Sequence, residues 1–181
     1  MATASTRQWP SGMTPRVERF FGFVDLCGFS DFNDTYGDEE AAVALHGLRF
    51  AIREAASEHG VRVDKWLGDG AMLVAVEPEP LLAACVRAEM VLRGTECRLA
   101  LRAGAAGGDV MIFEGDDYVG RPVNLAAKLC ALAYPGQILV AADMAGSLPA
   151  DSHDPRREKR SVPGFTDLVE LVSFELSAVV S

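Results

Sequence analysis

Val61-Arg62-Val63-Asp64-Lys65-Trp66-Leu67-Gly68-Asp69-Gly70-Ala71-Met72-Leu73-Val74-Ala75-Val76 decides how this chain folds. Val61, Val63, Lys65 and Leu67 alternate with Arg62, Asp64 and Trp66, a strand pattern with mixed faces. Gly68-Asp69-Gly70 is a tight turn, and Ala71 to Val76 is a second apolar run, so the stretch reads as a β-hairpin with an aspartate at its tip. Upstream, Val17 to Leu26 carries Phe20, Phe21, Phe23 and Val24 and reads as a buried strand. It closes on Asp25-Leu26-Cys27-Gly28-Phe29-Ser30, again a carboxylate followed by a turn.

Between these runs, a polar turn containing Gly37 precedes apolar residues at Ala41, Leu45, Leu48, Ile52 and Ala55. That spacing predicts a helix, with Gly60 as its stop. Pro78 and Pro80 precede a second helix with Leu81, Cys85, Ala88 and Leu92 on one face. Cys97 to Ala103 and Asp109 to Phe113 are strand candidates separated by Gly104, Gly107 and Gly108. Pro122 suits the first turn of a helix running to about Tyr134, and Ile138 to Ala141 is a short strand. Asp151 to Arg160 reads as a charged loop, and Phe165 to Leu176 as a closing strand or hairpin. The order β-α-β-β-α-β predicts an α+β fold. Its core is a ferredoxin-like split βαββαβ unit, an antiparallel sheet with helices on one face and extra C-terminal elements.

The 181 residues suit one domain over 16–181, after a leader (1–15) that reads as disordered. A domain of this size buries roughly two thirds of its unfolded surface and needs no covalent staple. Cys27, Cys85, Cys97 and Cys130 lie in apolar stretches without a CxxC pair, which points to reduced thiols and a cytoplasmic protein. His46, His59 and His153 are isolated and read as solvated or packing residues. A net charge of -9 argues against nucleic acid as a partner. It also means that any triphosphate must be attracted locally, by metals or a few basic residues. No apolar run approaches the ~18 residues that span a bilayer, so no membrane partner is expected.

Taken alone, Asp25 and Asp69 each read as turn residues. Together they say more, because the first and third strands of a split core can be neighbours, which would place both carboxylates at one end of the sheet. Two carboxylates holding two divalent ions are a means of activating an attacking oxygen and neutralising phosphates. Gly28 permits close backbone approach there, and the amides of Gly28, Phe29 and Ser30 can face phosphate oxygens.

Four motifs follow in order: Phe23-x-Asp25-x-x-Gly28-Phe29-Ser30, Lys65-x-x-Gly68-Asp69-Gly70, Leu101-Arg102-x-Gly104, and Asp117-x-x-Gly120-x-x-Val123-Asn124-Leu125-Ala126-Ala127. In this order they resemble the catalytic domain of class III adenylyl and guanylyl cyclases, of the small bacterial type, over about Phe20 to Val140. The resemblance implies that Asp25 and Asp69 are metal ligands, assisted by the Leu26 carbonyl, for two Mg²⁺ or Mn²⁺ ions. Lys65 and Asp117 fall on the purine-reading positions, Asn124 and Lys128 on transition-state positions, and Arg102 on a phosphate-contacting position. Adenine offers an N1 acceptor and an N6 donor that suit lysine and aspartate, whereas guanine reverses both. ATP is therefore the expected substrate and 3′,5′-cyclic AMP the product. The resemblance also implies a homodimer with shared sites: Asp25, Asp69 and Arg102 from one chain, Lys65, Asp117, Asn124 and Lys128 from the other. The connection from Gly108 to Asp117 is short, so the long dimerisation arm of vertebrate relatives is cut down.

Two departures qualify the match. The family most often has arginine where this chain has Lys128, which keeps the charge without the planar fork and predicts low turnover. The family often carries a triphosphate-binding lysine just before a late glycine, and the segment here is Ser161-Val162-Pro163-Gly164-Phe165. Lys159 or Arg160 are the candidates to replace it. A catalytically silent, dimerising or nucleotide-binding regulatory domain is the main alternative. A dinucleotide-forming enzyme on a similar core is a third, which Lys65, Asp117 and the Val123-Asn124 helix disfavour.

Overall fold

A computed structural model describes residues 16–113, 117–150 and 152–175; the expected leader lies outside the described residues, as do Asp151 and Leu176. Strand β1 (Arg16–Leu26) leads to α1 (Phe29–Tyr36) and α2 (Asp38–Glu58), then to the hairpin β2 (Arg62–Trp66) and β3 (Gly70–Ala75). Helix α3 (Pro78–Arg93) precedes a long β4 (Leu101–Phe113) and the short β5 (Asp117–Val119). Helix α4 (Arg121–Leu132), β6 (Gln137–Ala141), a 3-10 segment (Ala142–Ser147), β7 (His153–Arg160) and β8 (Val169–Glu175) complete the order.

The fold is α+β, as the hairpin and its flanking strands predict. Eight strands form one sheet in the order β2-β3-β1-β4-β6-β8-β7, with β5 paired to β4. Every pairing is antiparallel except β4 with β6. The first strand lies between the second hairpin strand and β4, with Asp25 opposite Gly70 on one side and Arg102 on the other.

Side chains alternate across a strand, so each face of the sheet collects its own core. On one face Val24, Leu26, Leu73, Leu101 and Ala103 pack with Leu48 and Ile52 of α2 and Leu81 and Leu92 of α3. On the other, Phe21, Met72, Val74 and Ala106 pack with Leu125, Ala126 and Leu129 of α4. The expectation of helices on one face thus holds for α2 and α3, while α4 covers the opposite face. That second layer shields the odd-numbered side chains of β1, among them Asp25.

Four local readings are corrected. The polar segment before Gly37 is helix α1, not a turn; its single buried residue, Phe32, leaves too little apolar spacing to signal a helix. The two candidate strands around Gly104 to Gly108 are one strand, β4. Its glycines serve close packing rather than chain reversal: a Cβ on Gly104 would lie 2.0 Å from the Cys130 amide nitrogen, and one on Gly107 would lie 2.2 Å from the Phe20 ring. The charged loop through Arg160 is strand β7, an edge paired with β8, and charge is what an exposed edge strand carries. Pro78 and Pro80 stand inside the first turn of α3 rather than before it, where a missing amide hydrogen costs nothing.

Candidate active site

Three groups of side chains emerge. The first is a corner at the C-terminal end of β1. Arg102 on β4 donates to Asp25 Oδ2 from Nε at 2.9 Å and from Nη2 at 2.6 Å. Its Nη1 reaches the Ala131 carbonyl of α4 at 3.3 Å, so one guanidinium ties the carboxylate to the end of that helix. Asp69 approaches from the hairpin, its carbonyl accepting the Leu26 N–H at 3.0 Å. Burial pushes the Asp25 carboxyl up; the Arg102 hydrogen bonds oppose this, and the nearby charge of Asp69 adds to it. Burial also pushes the Cys130 thiol up, so the corner's charge comes from the two aspartates and Arg102. A crevice of about 140 Å³ opens here between Asp25, Leu67, Gly70, Arg102 and Ala127.

Gly28, in left-handed backbone at φ 74, turns the chain from this corner into α1. The first-turn amides of Phe29 and Ser30 have no intrahelical acceptor, and among the described residues no side chain caps that helix.

The corner fits divalent cations by its donor chemistry. Two carboxylates and the Leu26 carbonyl make an all-oxygen set, and hard ions held this way keep further positions for water and substrate phosphates. Gly70 leaves the room: a Cβ there would stand 3.0 Å from Asp25 Oδ1. Among the described residues, no group of three His, Cys, Asp or Glu side chains is placed to hold a metal by itself.

The second group lies across β2 and β5. Lys65 and Asp117, far apart in sequence, form a direct ion pair whose side chains are both about half exposed. Arg62 donates to the Tyr118 hydroxyl at 3.1 Å, and the Tyr118 ring packs edge-on against Phe21 at 5.2 Å. These contacts hold β5 over the sheet and so fix Asp117 beside Lys65.

The third group is on α4. Arg121, Asn124 and Lys128 are exposed on one helical face, as their spacing requires, while Leu125, Ala126 and Leu129 face the sheet. They line an open cleft of about 590 Å³ together with Pro163, Gly164 and Phe165. The triphosphate candidates of the late strand are elsewhere. Lys159 of β7 pairs with Glu170 of β8 at 2.7 Å, and Arg160 with Glu158 within β7 at 2.8 Å. Sequence reasoning missed Arg121, although its place three residues before Asn124 on the same face signalled it.

Among the described residues, no hydrogen bond or ion pair joins one group to another, and the corner and the α4 cleft share no lining residue. Arg102, expected on a phosphate, is held by Asp25.

No family model matches the chain. An uncharacterised protein of Mycobacterium tuberculosis is 38% identical over 137 residues, 74% of this chain and 36% of that protein. The pH-sensitive adenylate cyclase of the same species is 33% identical over 119 residues, 66% of this chain and 30% of that one. The chain therefore spans about a third of the length of these curated relatives. Among solved structures, the guanylyl cyclase Cya2 superposes with a TM-score of 0.75 at 20% identity, covering 89% of this chain and 93% of the other. The structural neighbours include adenylyl as well as guanylyl cyclases, so the likeness shows the cyclase catalytic-domain fold and leaves the activity and the base open. No helix among the described residues is long and apolar enough to cross a membrane.

Proposed function

From the premise that this chain has the class III nucleotidyl cyclase catalytic-domain fold and adenylate cyclases among its sequence relatives, we propose that it converts ATP to 3′,5′-cyclic AMP and pyrophosphate in a homodimer. The observation that carries the choice of ATP is the Lys65–Asp117 pair. It presents an ammonium donor beside a carboxylate acceptor, the complement of adenine N1 and the N6 amino group. Guanine would set N1–H against the lysine and O6 against the aspartate, leaving both contacts unpaired or repulsive. ATP parts the ion pair and replaces one neutralising contact by two directional ones.

Asp25, Asp69 and the Leu26 carbonyl would hold two Mg²⁺ or Mn²⁺ ions. When bound, such ions lower the pKa of the ribose 3′-hydroxyl and take up negative charge on the departing pyrophosphate. The reaction forms a bond from the 3′-oxygen to the α-phosphorus, breaks the bond from that phosphorus to the bridging oxygen, and releases the 3′-hydroxyl proton. Asn124 orients the ribose, and Lys128 brings positive charge to the α-phosphoryl oxygens as charge develops there. The first-turn amides of Phe29 and Ser30 face the phosphates. Arg102, held beside Asp25 in the nucleotide-free chain, is available to a phosphate once that carboxylate is otherwise engaged. Among the described residues the corner crevice and the α4 cleft share no lining residue, which suits a shared site, with Asp25, Asp69 and Arg102 facing Lys65, Asp117, Asn124 and Lys128 of a second copy.

The Arg102–Asp25 pair and the lysine at position 128 favour one alternative, a silent nucleotide-binding dimer. Product analysis with ATP and with GTP, each under Mg²⁺ and Mn²⁺, separates the two. The expected result is cyclic AMP from ATP, with GTP a poor substrate, and loss of product in Asp25→Ala by about 10³-fold or more with the fold retained. Absence of product from the unsubstituted protein under all four conditions favours the silent dimer, and activity retained in Asp25→Ala refutes the metal assignment.

A further inference from the structure

The α4 cleft is out of balance with the rest of the molecule. The chain has 26 acidic residues against 17 Lys and Arg, and both cations expected to meet a triphosphate, Lys159 and Arg160, sit on glutamates of their own chain. Arg121 and Lys128 line one cleft; among the described residues neither has an ion-pair partner, and none of those lining the cleft is a carboxylate. Two cations on one helix face, two turns apart and without a carboxylate partner among the described residues, in a chain of net charge -9, mark a place completed by an anion from outside.

Arg121 is also held in position. Its guanidinium stacks over the Phe165 ring at 4.6 Å, a contact that fixes the plane while leaving the N–H edge free. Phe165 is itself set by a turn: Gly164 has φ 90, and the Phe165 N–H bonds the Val162 carbonyl at 3.0 Å. This is the Pro163–Gly164 turn, where the resemblance leads one to expect a lysine. Arg121 opens α4, where the helix dipole adds positive potential, and Asn124 and Lys128 continue its face by one and two turns.

We propose that Arg121 binds the polyphosphate of the nucleotide, supplying from the start of α4 the charge that Pro163 cannot, with Phe165 as its platform. This rests on the nucleotide-cyclase reading above. The guanidinium fork engages two oxygens of the β- and γ-phosphates, while Lys128, two turns on, remains for the α-phosphoryl group.

The test compares the unsubstituted protein with Arg121→Ala and Arg121→Gln, measuring KM for ATP, turnover number, and direct binding of inorganic pyrophosphate and of adenosine. Both variants should raise KM and weaken pyrophosphate binding by about 10- to 100-fold, the effect of losing a charge-assisted contact, with kcat moved less and adenosine binding unchanged. Phe165→Ala should give the same pattern at smaller size. Pyrophosphate binding equal to that of the unsubstituted protein in both Arg121 variants overturns the inference and leaves the cyclase reading standing. Arg121-dependent pyrophosphate binding without any cyclic nucleotide supports the inference and removes the cyclase reading. Absence of both product and pyrophosphate binding in the unsubstituted protein removes both.

Discussion

The Asp25 corner and the α4 cleft hold opposite charge in opposite ways. In the corner Asp25 is paired within one chain: Arg102 gives two hydrogen bonds to it and a third to the end of α4, all at the centre of the sheet. The cleft is unbalanced, with Arg121 and Lys128 exposed on a helix face without carboxylate partners among the described residues. A charge paired within the chain can serve the fold as well as a ligand, whereas an unpaired one on an exposed helix face has only a ligand to serve. Substitutions in the corner should therefore change stability together with chemistry, and those in the cleft should change chemistry alone.

Lys128 gives the largest test of that division. Lys128→Ala removes one donor at the phosphoryl group and should lower turnover by about 10²–10³-fold. Its melting temperature should stay near that of the unsubstituted protein, because exposed substitutions usually change stability by no more than about 0.5 kcal/mol. Lys128→Arg restores a planar fork and should raise turnover above the starting level. A melting temperature that falls as far as turnover would break the comparison, and an unchanged or lower rate in Lys128→Arg would remove this account of the lysine.

The two regions were not equally legible in the sequence. The hairpin with Asp69 at its tip follows from alternation and an apolar run, the strand carrying Asp25 from its apolar run alone, and the sheet does pair β1 with β3. On α4, helical spacing put Asn124 and Lys128 on one face once the resemblance had singled them out, and Arg121 on the same face was missed. What escaped was whatever depends on a neighbour rather than on local pattern. Gly104 and Gly107 look like strand breakers until Cys130 and Phe20 are seen against them. The charged residues of β7 read as loop because an edge strand has no buried face to alternate. Arg102 sits on Asp25 instead of waiting for a phosphate, which only the register of β1 against β4 reveals.

Gly104 joins the two regions, and it is the next test. A Cβ there would stand 2.0 Å from the Cys130 nitrogen and 2.4 Å from the Ala126 carbonyl oxygen, both backbone atoms that no rotamer change can move. Gly104→Ala must push α4 off β4, displacing the cleft and loosening the Arg102 contact to Ala131. A loss of about 1–3 kcal/mol is expected from overpacking, with cyclase activity falling as well. Gly107→Ala meets first the Phe20 ring, a side chain that can turn aside, and should cost less. Urea unfolding of both variants ranks them; an equal or smaller loss at Gly104 would mean that the helix is not locked to the strand at this point.

The smallest expected effect lies beneath the corner. Glu89 of α3 is 2% exposed; it accepts the Leu101 N–H at 2.9 Å and the Arg93 Nε–H at 2.9 Å. Leu101 precedes Arg102, so this buried carboxylate anchors the strand end that presents the guanidinium. Burial pushes Glu89 above the usual glutamate range, and Arg93 and the Leu101 amide oppose that without cancelling it. The thiols of Cys27 and Cys97 lie within its field. Because the folded value exceeds the unfolded one, the folded state holds the proton more tightly. The group's contribution is complete below the unfolded value and is lost as pH rises through the folded value. Glu89→Gln keeps a carbonyl acceptor for Leu101 and cannot ionise. Its stability relative to the unsubstituted protein, measured by urea unfolding between pH 4 and pH 7 as roughly the interval around carboxylate titration, should therefore improve as pH rises. A difference that stays flat or shrinks would show that Arg93 neutralises Glu89 fully, and the corner would then rest on a balanced pair at every level.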